Sequence, residues 1–246
     1  MESNLSWVSL TGAEDSVDPG ALADISAEHP QAEWALLCLF EREGQGRNPT
    51  QAWRGLFLDR MEGRGRSALH LCGEDAFNRL LAHGPWEELG RYGRIQANLN
   101  ARGVVFGKEQ AMEIWSMLST STQGLIIQLH DNVRPWAMEF LERRAPGMRV
   151  EILFDESKGR GVEPAEWTAS LDGIACGYAG GLGPDNVERL APSIAKAARF
   201  PGCWIDMETQ LRSGGLFDLE KCRTVLDRGL PWIDASARGV DAKRPA

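Results

Sequence analysis

Leu125-Ile126-Ile127-Gln128-Leu129-His130 and Val150-Glu151-Ile152-Leu153-Phe154-Asp155 are short apolar runs that each turn polar at the last residue. Between them, Trp136 to Arg144 places Phe140 one helical turn from Trp136, with Glu142, Arg143 and Arg144 at its polar end. Two strands joined by a helix read as parallel neighbours, because a parallel pair requires a crossover connection.

The same alternation extends outward from this unit. Further apolar runs occur at Trp7-Val8-Ser9-Leu10, Trp34 to Phe40, Ala68 to Cys72, Arg94 to Asn100, Ile174 to Tyr178 and Cys203 to Met207. Helical stretches fall between them at Asp75 to Leu81, Lys108 to Leu118, from Pro184-Asp185-Asn186-Val187, and at Leu219 to Leu226. In Lys108 to Leu118 the apolar residues Ala111, Ile114, Trp115 and Leu118 share one helical face. Successive runs lie roughly 25–33 residues apart, the length of one strand-helix unit in a (β/α)8 barrel. The expectation is therefore a single α/β domain, a (β/α)8 TIM barrel over residues 1–234, with 235–246 as a frayed tail. Glu43 to Arg47 and Glu62 to Arg66 read as loops.

Composition fits one such domain of 246 residues. Hydrophobic residues make up 43%, enough for a core, and 27 basic against 35 acidic residues give a net charge of -8. That balance lacks the basic footprint of nonspecific nucleic-acid binding. Five scattered cysteines without a C-x-x-C pair indicate neither a disulfide framework nor a zinc ribbon, and point to a reduced, intracellular protein. The opening Met1-Glu2-Ser3-Asn4-Leu5-Ser6 has no basic n-region or apolar h-region. The longest apolar run is too short to span a bilayer. These features predict a soluble cytoplasmic protein with no membrane or nucleic-acid partner.

In a barrel of this type the chemistry lies at the carboxyl ends of the strands. Here those ends carry Thr11 and Gly12, then His70 and Cys72, Gln96, Asn98 and Asn100, Gln128 and His130, Asp155, and finally Asp206 and Glu208. Any one of them is more readily explained as structure. Five adjacent strands turning polar at one end is a ligand-site pattern, because each unsatisfied buried group costs roughly 1–3 kcal/mol. Gly180-Gly181-Leu182-Gly183-Pro184-Asp185-Asn186-Val187 adds glycines before a helix start, a geometry that lets backbone N–H groups approach an anion. Arg212-Ser213-Gly214-Gly215 supplies a second glycine turn with a cation. The expected phosphate-binding residues are Gly180, Gly181, Arg212 and Gly214.

These motifs resemble the phosphoribosylanthranilate isomerase family. Ala179 to Val187 is similar to the family's A-G-G-L-x-P-x-N-V. Ile152-Leu153-Phe154-Asp155 with Lys158-Gly159-Arg160-Gly161 and Trp167 is similar to its strand-six sequence. Ile205-Asp206-Met207 and Asp218-Leu219-Glu220-Lys221 are similar to its last strand and helix, Ser9-Leu10-Thr11-Gly12 occupies the place of its opening K-I-C-G, and Arg47 lies about where its loop after strand two carries an arginine for the anthranilate carboxylate. The resemblance implies an Amadori rearrangement of a phosphoribosyl-amine without a cofactor, in which Asp155 protonates the ring oxygen. Two departures stand out. Thr11 occupies the place of the family's cysteine base, and a hydroxyl is a far weaker base than a thiol of pKa ~8.5. Glu208-Thr209-Gln210 replaces the family's S-S-G, and a carboxylate there would repel phosphate unless Arg212 offsets it or Glu208 turns away.

The sequence thus predicts a divergent isomerase acting on a phosphorylated sugar or sugar-amine, as a monomer or homodimer. Catalytic candidates are Asp155, Glu208, His130 and Thr11, with Glu208 or His130 as the base. Substrate-binding candidates are Arg47, His70, Asn98, Gln128 and Asp206. A noncatalytic phosphosugar-binding barrel is one alternative. Another is a metal enzyme using His70, His130, Asp155, Asp206 and Glu208, although no ligand spacing in the sequence supports a metal. A Schiff-base aldolase is disfavoured, because Lys108, Lys158, Lys196, Lys221 and Lys243 all fall outside inner strands. Trp34, Trp115 and Trp136 read as packing residues. So do Cys38, Cys176, Cys203 and Cys222, whereas Cys72 shares a face with His70. His29 and His83 read as loop residues.

Overall fold

The computed structural model describes residues 3–99, 106–155 and 162–233. They form a closed parallel barrel with its eight strands in chain order. The strands are β1 (Leu5–Thr11), β2 (Ala32–Cys38), β3 (Arg66–Leu71), β4 (Arg94–Ala97), β5 (Leu125–Leu129), β6 (Val150–Asp155), β7 (Cys176–Ala179) and β8 (Cys203–Met207). Closure comes from β8 pairing with β1, which sets Ser9 opposite Asp206. The helices are α1 (Pro19–Glu28), α2 (Gln51–Met61), α3 (Glu74–His83), α4 (Lys108–Ser121), α5 (Arg134–Arg143), α6 (Val187–Ala197) and α7 (Leu219–Gly229). A short hairpin, β9 (Arg212–Ser213) and β10 (Leu216–Phe217), lies between β8 and α7.

Each apolar run is a strand, as its alternation and length require. Two features differ from the sequence expectation. β4 ends at Ala97, so Asn98 lies one residue beyond it, although its N–H still donates to the Leu71 carbonyl at 3.1 Å. The described part of the β6–β7 connection, 162–175, contains no helix. Pro164 and the positive-φ Gly173 interrupt it, and Trp167 and Leu171 pack against the core where a helix would lie. Asn100, Lys158 to Gly161 and the tail 235–246 lie outside the described residues.

The main core fills the space between sheet and helices. Trp34 points outward from β2 and donates its indole N–H to Ser26 Oγ of α1 at 2.8 Å. Trp115 of α4 meets Phe140 of α5 edge to face, and Trp136 packs half-buried against the same core. These tryptophans are packing residues.

The barrel interior is built differently. Trp7 and Trp204 stack with ring centroids 5.9 Å apart, and Ile126 and Leu153 join them. Gly177 on β7 makes room, since a Cβ there would lie 2.2 Å from the Trp204 ring. The Arg94 guanidinium stands 4.2 Å from the Trp204 ring centre and 4.8 Å from that of Trp7. Arg94 donates to both oxygens of Glu33 and, at 2.5 Å, to Glu151. Glu151 also accepts from Arg149 at 2.7 Å, and Glu33 from the Ser9 hydroxyl at 3.0 Å. These charges form a paired floor beneath the mouth.

Candidate active site

Side chains on the inner face of a strand recur with a period of two. The period that puts Arg94, Glu33 and Glu151 on the floor therefore lifts Thr11, Asn98, Gln128, Asp155 and Asp206 toward the carboxyl ends. Register fixes their relation. Asp155 and Asp206 are both paired with Ala179 of β7, one from each side. Neighbouring strands are about 4.8 Å apart, so the two carboxylates flank a small residue at one level, roughly 10 Å apart at the backbone.

Each carboxylate is held by a neutral donor. Gln128 Nε2 donates to Asp155 Oδ2 at 3.1 Å, and the Thr11 hydroxyl donates to Asp206 Oδ1 at 2.7 Å. Burial pushes the Asp206 carboxyl up to about 7; the Thr11 bond pulls the other way, while Glu208, Glu33 and Asp155 add to the rise. Next along the rim, Gln96 Nε2 donates to Asn98 Oδ1 at 2.7 Å, and Asn98 Nδ2 donates to Cys72 Sγ at 3.1 Å. Asn98 and Gln128 thus join the mouth.

His70 lies deeper. It is paired with Gln96 on the next strand and is buried, and desolvation with the Arg94 charge lowers its pKa to about 3. It is a neutral group of the interior. His130 follows β5 half-buried, and its carbonyl accepts the Val133 and Arg134 N–H groups at the start of α5.

Three loops close around Gly12, whose φ of +102° suits glycine. Arg47, on the tight turn after β2, pairs with Glu208 after β8. Arg212 donates to the Gly12 carbonyl at 2.8 Å, to Glu14 at 2.6 Å and to the Gly215 carbonyl. The cation offsetting Glu208 is therefore Arg47, whereas Arg212 braces β1 against the β9–β10 hairpin. Glu14, buried and singled out by no motif, is what holds it there.

The glycine loop is fixed from within. Asn186 accepts the Gly183 N–H and donates to the Gly181 carbonyl, each at 2.9 Å, just before α6 begins. Gly180 and Gly181 have positive φ, and Gly180 lies under Pro164 and Trp167. Gly183 packs closely on Gln210 of the neighbouring loop. Gly214 is at the hairpin tip with nothing near its Cβ position.

Among the described residues no three His, Cys, Asp or Glu side chains are grouped to hold a metal ion, so the metal alternative finds no ligand set there. Lys108 pairs with Glu139, Lys196 lies in α6, and Lys221 donates to the Arg212 carbonyl. No described helix is long and apolar enough to cross a membrane.

Fold and rim together define a (β/α)8 barrel with a mouth lined by carboxylates and amides. The structure is similar to that of N-(5'-phosphoribosyl)anthranilate isomerase from Pyrococcus furiosus, with a TM-score of 0.51 and 14% identity over 92% of this chain and 99% of that one. It is also similar to phospho-2-dehydro-3-deoxyheptonate aldolase from Thermotoga maritima, with a TM-score of 0.57 and 12% identity over 96% of this chain and 72% of that one. Both likenesses are of fold, and both neighbours are TIM-barrel enzymes. No protein-family model and no curated protein matches the sequence.

Proposed function

We propose that the chain is an isomerase of a small phosphorylated sugar or sugar-amine, working by acid–base chemistry at the carboxyl end of the barrel. The observation that carries this reading is the pair of carboxylates, Asp155 and Asp206, on either side of Ala179. Two acids facing one small residue can serve two ends of a proton transfer, one giving and one receiving. Asp155, oriented by Gln128, protonates the ring oxygen and opens the sugar. The backbone of Gly180 and Gly181 with the start of α6 provides the phosphate seat. Arg47 offers a guanidinium to a second anionic group of the substrate. The resemblance in the motifs around Asp155 and Ala179 to Val187 supports the same assignment.

N-(5'-phosphoribosyl)anthranilate, the substrate named for the Pyrococcus neighbour, is the first probe. Asp155→Asn is expected to lower turnover of that probe at least about 100-fold, the scale of general acid catalysis, with an unchanged circular dichroism spectrum. Full activity in the variant would remove Asp155 from the mechanism. Saturable binding by the wild-type chain with no conversion would select the noncatalytic binding protein instead.

A further inference from the structure

The isomerase reading needs a group to take a proton from carbon. Thr11 stands where the resembling family keeps its thiol, and its hydroxyl is already donated to Asp206. Glu208 is held by Arg47. Asp206 is different. It lies on the inner face of β8, 7% exposed, and the Thr11 hydroxyl occupies only Oδ1. Among the described residues, Oδ2 accepts no hydrogen bond and no cation is paired with this carboxylate. After burial and the Thr11 hydrogen bond, the charged groups that act on it are Glu208 just past the end of its own strand, Glu33 of β2 and Asp155 across β7, all acidic. The guanidinium groups of neighbouring elements are engaged elsewhere: Arg47 with Glu208, Arg212 with Glu14, and Arg94 with Glu33 and Glu151. A carboxylate so placed gains more from accepting a proton than one paired with a cation.

We propose that Asp206 is the proton acceptor of this mouth, with Thr11 as the positioning residue that fixes one oxygen and leaves Oδ2 to meet the substrate. The proposal rests on the isomerase reading above. Once the ring is opened by the proton from Asp155, the substrate is an iminium with a hydroxyl-bearing carbon beside it. Oδ2 takes the proton from that carbon. The C–H electron pair forms a new C=C bond, and the C=N π pair returns to nitrogen, which becomes neutral. The enol hydroxyl then loses its proton as the former iminium carbon gains one, giving the ketone. Asp155 has lost one proton and Asp206 has gained one, and solvent restores both.

Two measurements test this. In the ligand-free chain, carboxyl-labelled aspartate followed by carbon NMR should show one group titrating near 7, absent in Asp206→Asn. A group titrating near the ordinary value of ~4 instead would overturn the proposal whatever the substrate. With N-(5'-phosphoribosyl)anthranilate as probe, kcat/KM, which follows ionisations of the free enzyme, should rise with pH through the same value. Asp206→Asn should lose at least about 100-fold in kcat. Thr11→Val should move the rising limb to higher pH, because the hydroxyl favours the charged carboxylate, and Thr11→Ser should restore it. An unshifted limb in Thr11→Val would limit Thr11 to packing and overturn its positioning role. Full activity in Asp206→Asn alongside an inactive Asp155→Asn would overturn the acceptor and leave the isomerase reading intact. No conversion by the wild-type chain would overturn that reading and the acceptor with it.

Discussion

The floor and the mouth of this barrel are both lined by buried ionisable groups, but they are arranged in opposite ways. On the floor these charges are paired: Arg94 lies between Glu33 and Glu151, and Arg149 shares Glu151. In the mouth Gln128 donates to Asp155, and Asp206 is held by the Thr11 hydroxyl, a neutral donor that leaves the Asp206 charge without a paired cation among the described residues. Paired charges resist changing protonation state, whereas an uncompensated carboxylate is poised to do so. Pairing separates scaffold from chemistry more sharply than burial does.

The largest expected effect of breaking this contrast is on the floor. Arg94→Met would leave buried Glu33 without a cation and Glu151 with Arg149 alone, and removing one partner of a buried pair typically costs about 3–5 kcal/mol. Urea denaturation should show that loss. Adding Glu33→Gln and Glu151→Gln should recover much of it, because neutral groups no longer need the guanidinium. A loss below about 1 kcal/mol would mean that the floor network is not structural.

The mouth should respond to pH in a direction the floor does not. Folded Asp206 keeps its proton up to about 7, while in the unfolded chain the group releases it near 4. The folded state therefore binds more protons between these values. Its contribution to stability is complete below pH 4 and is lost as pH rises through 7, a change of about 4 kcal/mol. Asp206→Asn, which keeps the shape and an acceptor for Thr11, should be markedly more stable than wild type at pH 8 and similar to it at pH 3.5. Parallel stability curves would contradict the uncompensated carboxylate. His70 has the reverse sign. Its folded pKa of about 3 means that stability is lost as pH falls below 6.5, by about 2 kcal/mol at pH 5. His70→Gln should flatten that acid limb in thermal melts across pH 4–7.

Sequence periodicity carried the architecture, because a strand buried on both faces leaves an apolar run and a barrel repeats it. It also located Asp155, Gln128 and Asp206, which end such runs. The floor was less legible, although Glu33, Arg94 and Glu151 each lie two residues below Ala35, Gln96 and Leu153 on the same inner face. Extending the period of two downward from the mouth would have found them. Glu14 was not recoverable in this way, because it acts from a loop through a contact almost two hundred residues distant in sequence, at Arg212. Arg212, the nearest cation to Glu208 in sequence, is not its partner, because the turn after β2 brings Arg47 to it instead. Pairings between loops depend on how turns fold back over the rim, and no strand period encodes that.

The smallest expected effect on stability concerns that pair, and it separates two roles for Glu208. Arg47 and Glu208 are each about one-third exposed, so their attraction is screened and contributes roughly 0.2–1 kcal/mol. Glu208→Gln should leave the melting temperature almost unchanged. If Arg47 receives an anionic group of the substrate, Glu208 is a competitor that the substrate must displace. Releasing Arg47 should then lower KM by up to about fivefold at constant kcat, since that is the upper end of the energy of the pair. Arg47→Ala should raise KM. If Glu208 were itself the base, the same Glu208→Gln change would leave KM alone and collapse kcat. The split between the two parameters therefore decides whether the second carboxylate at the end of β8 belongs with the proton-active group of the mouth or with the paired charges that hold the barrel together.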